Sequence, residues 1–190
     1  MNDYMKTAAL LPGREVLITG LGPVGLGAII TCKYRGAEVI GVTRNQYRTN
    51  LAHELGADHV LDPADPELSS KIGIITNGLG ADKTIECSGG EMYQRISLDE
   101  TRRKGQVVFV GESDDCTIQV SDDLIRNGIS LHGSWHWNLE DTNELMRTIS
   151  NSLTKINKLI THTFPLGKVE DAFNLQMTGE CGKVILHPQE

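Results

Sequence analysis

Arg14-Glu-Val-Leu-Ile-Thr-Gly-Leu-Gly-Pro-Val-Gly-Leu-Gly27 is the stretch on which the reading of this chain turns. Val16, Leu17 and Ile18 form a short apolar run, Gly20, Gly22 and Gly25 follow, and Leu26 to Tyr34 reads as a helix. The first glycine of such a pattern allows a tight turn and the second lets backbone approach a pyrophosphate. The third lets the helix pack against the strand, with its N-terminal N–H groups facing the anion. A bare G-x-G-x-x-G is often only a structural turn. Here a strand precedes it and a helix follows, so dinucleotide binding is the preferred reading, with Gly20, Gly22, Pro23, Val24 and Gly25 as the first candidate contacts.

Outward from this loop, strands and helices alternate. Gly36-Ala37 ends the first helix, and Glu38 to Thr43 is a second buried strand at the spacing of a βαβ unit. An acid closing this second strand would hydrogen-bond an adenosine 2'-hydroxyl, whereas its absence beside an arginine accommodates a 2'-phosphate. The chain has Thr43 followed by Arg44, which favours NADP over NAD; the plainer reading of Arg44 and Arg48 is a solvated helix start.

Asn45 caps a helix running to Leu55, and Asp58 to Leu61 is a third strand. A surface turn at Asp62 to Pro66 leads to a helix over Glu67 to Asn77, a fourth strand over Asp82 to Cys87 and a helix over Glu91 to Arg103. Gly105 to Gly111 is the fifth strand. Upstream, Met1 to Leu11 reads as the tail of a helix, which suggests that something precedes it. The alternation predicts an α/β fold, a Rossmann-type doubly wound parallel sheet with helices on both faces. Ligands of such sheets bind beyond the carboxyl ends of the strands, so the glycine loop, Thr43, Cys87 to Gly89 and Val110 to Glu112 should converge on one crevice.

After Glu112 the pattern changes. Thr117 to Val120 and Ile129 to Trp135 read as strands around a helical turn at Asp122 to Asn127. Leu139 to Ser152 is amphipathic, Ile156 to Thr163 extended, Leu166 to Met177 helical, and Gly182 to His187 a last strand.

Composition narrows the function classes. The formal charge of −7 and the scattered Lys and Arg exclude a nucleic-acid partner, because no basic block faces a phosphate backbone. No apolar run is long enough to span a bilayer and no signal-peptide pattern opens the chain, so a cytoplasmic location is expected. The four cysteines are widely spaced and never form C-x-x-C, which reads as free thiols. Cys87 has no adjacent base to make it a nucleophile, and His132 and His136 lack a third ligand nearby in sequence, so neither a catalytic residue nor a metal ligand is assigned. Trp135 and Trp137 read as packing at the cofactor mouth, at an interface or in the core.

The order of motifs resembles the nucleotide-binding half of the medium-chain dehydrogenase/reductase superfamily, in its zinc-dependent alcohol and polyol dehydrogenase branch. Gly20-Leu-Gly-Pro-Val-Gly25, Leu55-Gly-Ala-Asp58 and Ile160-Thr-His-Thr-Phe-Pro-Leu166 carry the resemblance. Val169-Glu-Asp-Ala-Phe173 and Gly179-Glu-Cys-Gly-Lys-Val-Ile-Leu186 extend it. It implies an NAD(P)-binding domain over 1–135, and C-terminal helices and a strand over 136–190 that join the catalytic part in relatives.

The resemblance also implies roles. Arg48 falls near the adenosine ribose, Cys87 and Ser88 on the loop flanking the cofactor, and Val110, Gly111 and Glu112 at the strand end that holds the nicotinamide carboxamide. Ser134 and Trp135 offer further contacts to that group, and Lys183 a cation for the pyrophosphate. The strand near Ile129 to Gly133 would pair with its twin in a homodimer. The family's catalytic domain, with its zinc ligands, has no counterpart in this sequence, so zinc is expected only in a full-length relative and the chain itself is expected to be inactive. The final strand, Lys183 to Leu186, would then be orphaned. The alternative is a stand-alone dinucleotide-binding or redox-sensing module without catalysis.

Overall fold

The computed structural model describes residues 12–113 and 115–189. The expected helix tail at Met1 to Leu11 lies outside the described residues. Six strands form one sheet in the order β3-β2-β1-β4-β5-β6. They are β1 (Glu15–Thr19), β2 (Glu38–Val42), β3 (His59–Leu61), β4 (Ala81–Glu86), β5 (Thr101–Phe109) and β6 (Ser130–Gly133). Every neighbouring pair is parallel. The chain returns between them through α1 (Pro23–Tyr34), α2 (Gln46–Leu55), α3 (Leu68–Ile75) and α4 (Glu91–Asp99). The strand order is that of a doubly wound dinucleotide-binding sheet, with the reversal between β1 and β4.

Side chains two apart on a strand share a face, and β1 uses both. Val16 and Ile18 pack with Leu26 and Ile29 of α1 and with Leu51 and Leu55 of α2. Leu17 faces the other way, joining Ile40 and Val42 of β2 with Leu68 and Ile72 of α3. A strand covered on both faces needs a continuous apolar run, which is what Val16 to Ile18 supplies. Helix α1 starts at Pro23, three residues before the expected Leu26, because proline's missing N–H costs nothing in the first turn. Helix α2 starts where Asn45 predicts, its Oδ1 accepting from the Arg48 N–H at 3.0 Å.

Three expectations are corrected. The helix expected to reach Arg103 ends at Asp99, and β5 begins at Thr101 rather than Gly105. Partners distant in sequence draw this segment into the sheet. The Ala81 N–H donates to the Glu100 carbonyl at 2.8 Å, Thr101 Oγ1 lies 2.5 Å from Thr84 Oγ1, and Arg102 Nε donates to Asp82 Oδ1 at 2.6 Å. The expected strand over Thr117 to Val120 is irregular backbone leading into a π-helical turn, Val120–Arg126. Asp123 sets that turn by accepting from the Gln119 N–H and a two-pronged contact from Arg95. The stretch expected to be extended from Ile156 is helical at first, because Ile156 and Leu159 pack one turn apart against the core under α1 and α2.

The remaining elements are α5 (Thr142–Asn151), α6 (Leu153–Leu159), β7 (Ile160–Pro165), α7 (Val169–Thr178) and β8 (Lys183–His187). The expectation of an orphaned final strand is also corrected. β8 pairs in parallel with β7, Thr163 opposite Ile185 and Phe164 opposite Leu186, with α7 as the crossover. Among the described residues no helix is long and apolar enough to cross a membrane.

Candidate functional site

The three glycines between β1 and α1 are required for different reasons. Gly20 has φ +82°, and a Cβ there would lie 2.5 Å from Ser88 Cβ. A Cβ on Gly25 would lie 2.1 Å from the Gly20 carbonyl oxygen. Packing within the protein therefore accounts for the first and third. Gly22 is different: its backbone is extended, at φ −73° and ψ −173°, and a Cβ there would meet no protein atom within 4 Å. It opens onto a cleft.

No side chain caps α1. Pro23 has no N–H, and helix geometry leaves the Val24 and Gly25 N–H groups of this first turn without intrahelical acceptors. The end of the helix thus carries donors and the positive pole of its dipole.

The opposite wall is built on Glu86, the last residue of β4, whose side chain is fully buried. Its Oε1 accepts from the Ser88 N–H at 2.7 Å, the Ser88 hydroxyl at 2.7 Å and the Gly89 N–H at 3.0 Å. These bonds hold Cys87 to Gly89 against Gly20. The same residue anchors the end of β5, where the Val110 and Gly111 N–H groups donate to its backbone carbonyl at 2.8 and 3.1 Å. Burial, then the Glu86 carboxylate, pushes the Cys87 thiol far up, which favours its protonated form.

Of the residues singled out in the sequence, Gly20, Gly22, Pro23 and Thr43 line a cleft of about 680 Å³ together with Arg44, Arg48, Cys87 and Ser88. Thr43 Oγ1 accepts from the Asn45 N–H at 3.2 Å and shapes the turn. Arg44 is exposed at the cleft. Arg48 has a buried Nε with no hydrogen-bond partner, and its guanidinium lies against the C-terminal turn of α7. Among the described residues no carboxylate lines this cleft.

The other singled-out residues lie elsewhere. Val24 is exposed beside the cleft, and Gly25 is sealed behind Gly20. Gly111 and Glu112 border a neighbouring cavity of about 690 Å³ with Gln94 and Phe109. Val110 packs against the core, and the Ser134 N–H extends β6 by donating to the Phe109 carbonyl at 2.9 Å. Trp135 is 72% exposed, its Nε1 donating to Glu112 Oε1 at 3.0 Å. Lys183 lines a third cavity, of about 320 Å³, which shares Pro23 with the first.

Sequence reasoning missed part of the wall. Leu21, Asn45 and Tyr93 line the cleft, as do Met177, Thr178 and Gly179 at the end of α7. Asn45 Nδ2 donates to the Gly179 carbonyl at 3.3 Å, closing that side across 134 positions. Gly179 ends α7 in the left-handed region at φ +76°, and nothing in the sequence signals that it neighbours Arg48. Among the described residues no group of three or more His, Cys, Asp or Glu side chains could hold a metal ion. The donor set of the described residues does not fit zinc.

Residues 23–151 match a family model described as zinc-binding dehydrogenase. The chain is 32% identical over 180 residues to the L-threonine 3-dehydrogenase of Caldanaerobacter subterraneus subsp. tengcongensis, covering 93% of this chain and 52% of that protein. It is 34% identical over 175 residues to YphC of Escherichia coli, named as an uncharacterized zinc-type alcohol dehydrogenase-like protein, covering 91% of this chain and 49% of that one. In structure it is similar to an alcohol dehydrogenase from Thermotoga maritima, with a TM-score of 0.89 and 28% identity over 97% of this chain and 52% of that one. The chain spans about half the length of these relatives. A model matching well over half of its residues, on a sheet wound as in those neighbours, places this chain in the zinc-binding dehydrogenase family of the medium-chain dehydrogenase/reductase superfamily.

Proposed function

We propose that this chain binds a nicotinamide dinucleotide in the cleft at Gly22, as the NAD(P)-binding portion of a zinc-type alcohol or polyol dehydrogenase. The observation that carries this reading is the uncapped N-terminus of α1, opening at Gly22 onto a cleft lined by Arg44 and Arg48 and, among the described residues, by no carboxylate. Such a surface takes an anion, and a diphosphate fits donors arranged around one helix end. Arg44 and Thr43, in the place of an acid, favour NADP over NAD.

The nicotinamide, when bound, supplies a hydride acceptor or donor for a secondary alcohol and its ketone. This chain's residues bind and orient: the α1 amides hold the diphosphate, Arg44 and Arg48 the adenosine end, Cys87 and Ser88 flank the cofactor, and Val110, Gly111, Glu112, Ser134 and Trp135 hold the nicotinamide end. Lys183 approaches the diphosphate across Pro23. Residues 136–190 join the part that supplies zinc and substrate contacts in full-length relatives, so the chain alone binds cofactor without turnover. Two such chains pair through the free edge of β6, near Ile129 to Gly133; a monomer in sedimentation contradicts this pairing.

Calorimetric titration with NADPH and NADH tests the reading. The expected result is binding of both, tighter for NADPH, with the preference lost in Arg44→Ala. Absence of binding by either cofactor overturns the dinucleotide assignment, and turnover of an alcohol by the isolated chain overturns the division of labour.

A further inference from the structure

We propose that Tyr93 is a specificity-determining residue of this cleft: its hydroxyl donates to the 2'-substituent of the adenosine ribose and with Arg44 selects a phosphorylated ribose over a bare one. The inference rests on the dinucleotide reading above. No motif in the sequence marks Tyr93, which lies near the start of α4, yet it lines the same cleft as Thr43, Arg44 and Ser88.

The ring is fixed before any ligand arrives. It packs against the cluster formed by Leu17, Ile40 and Val42. Its backbone carbonyl accepts from the Ser97 hydroxyl at 2.7 Å, and Ser97 Oγ lies 2.9 Å from Thr19 Oγ1 at the end of β1. The phenol is thus tied to the strand that presents the glycine loop, and little side-chain entropy remains to be lost on binding.

The hydroxyl is also poised as a donor. A phenol both donates and accepts, so its proton is available to an acceptor on a ligand in the cleft. Burial raises its pKa above the ordinary 10.0 despite the pull of Arg44, so the phenol carries that proton at neutral pH. Arg44 and Arg48 are the cations whose charge reaches it, and Asp62, outside the cleft lining, is the acid. A phosphate has oxygens enough for both a guanidinium and a phenol. A bare 2'-hydroxyl offers Arg44 no charge to meet, and among the described residues the cleft lining contains no carboxylate to take its proton.

The test uses the full 190-residue chain, adenosine 2',5'-bisphosphate and 5'-AMP as probes, and calorimetry on the wild type and Tyr93→Phe. Phenylalanine keeps the ring and its packing, and an unchanged unfolding midpoint verifies this. Loss of one hydrogen bond to a charged group predicts roughly tenfold weaker binding of the bisphosphate and less than about a twofold change for 5'-AMP. Equal weakening of both probes, or of neither, overturns the role of Tyr93 and leaves the dinucleotide reading intact. A wild type that binds 5'-AMP as tightly as the bisphosphate also overturns it, and one that binds neither probe overturns both readings.

Discussion

At the β1 and β4 end of the sheet's carboxyl edge, backbone is packed on backbone: Gly20 against Ser88, Gly25 against Gly20, and a buried Glu86 holding Ser88 and Gly89. At the β6 end, Trp135 stands 72% exposed and is joined to Glu112 by a hydrogen bond between exposed side chains. The first end is shaped by contacts that leave no freedom, and the second has a surface still open to other groups. A diphosphate site needs its donors fixed in advance, whereas contacts to substrate or to a further domain can form on assembly.

Substitutions should separate the two ends. Glu86→Ala strands the Ser88 and Gly89 donors in a buried place and is expected to cost roughly 3 kcal/mol in urea unfolding, with loss of dinucleotide binding. Gly25→Ala drives a methyl group into the Gly20 carbonyl and is expected to cost roughly 2 kcal/mol by the same measurement.

A smaller effect belongs to the amino edge, where Asp58 accepts from the Val39 N–H at 2.7 Å and from Lys33 Nζ at 2.7 Å. Burial alone would raise the Asp58 pKa, but Lys33 and the Val39 N–H outweigh it and hold the group below its ordinary 3.8. A carboxyl lowered on folding stabilises fully above its unfolded pKa, and that contribution fades as pH falls through the folded value. Asp58→Asn should therefore cost about 1 kcal/mol at pH 7, allowing for solvent screening of a part-exposed pair, and the gap from wild type should close below pH 3.8. Smallest of all, Trp135→Phe should change stability by less than about 0.5 kcal/mol. A loss at Trp135 equal to that at Glu86 would break the contrast between the two ends.

The rigid end was also the legible one. The turn from Gly22 into α1 and the Asn45 cap are decided by residues within a few positions of one another, so sequence order carries their geometry, whereas the seat of Gly20 against Ser88 is set by the sheet. The early start of β5 is decided by Ala81, Asp82 and Thr84, and the irregular path before Val120 by Arg95 reaching Asp123. Those partners are brought together only by the sheet. The cleft shows the same division. Gly22 and Arg44 could be named from the sequence, while Tyr93 needed α4 docked on β1, and Gly179 needed α7 returned beside Asn45.

Calorimetric titration of NADPH against the wild type and Gly22→Ala, with thermal unfolding of both, tests most directly whether a diphosphate rests on the start of α1. A Cβ at Gly22 meets no protein atom and its backbone suits any residue, so the unfolding midpoint should stay unchanged while affinity falls at least about tenfold, the methyl group standing where the ligand approaches. Undiminished NADPH affinity in Gly22→Ala, or a wild type that takes up no dinucleotide, would contradict that placement.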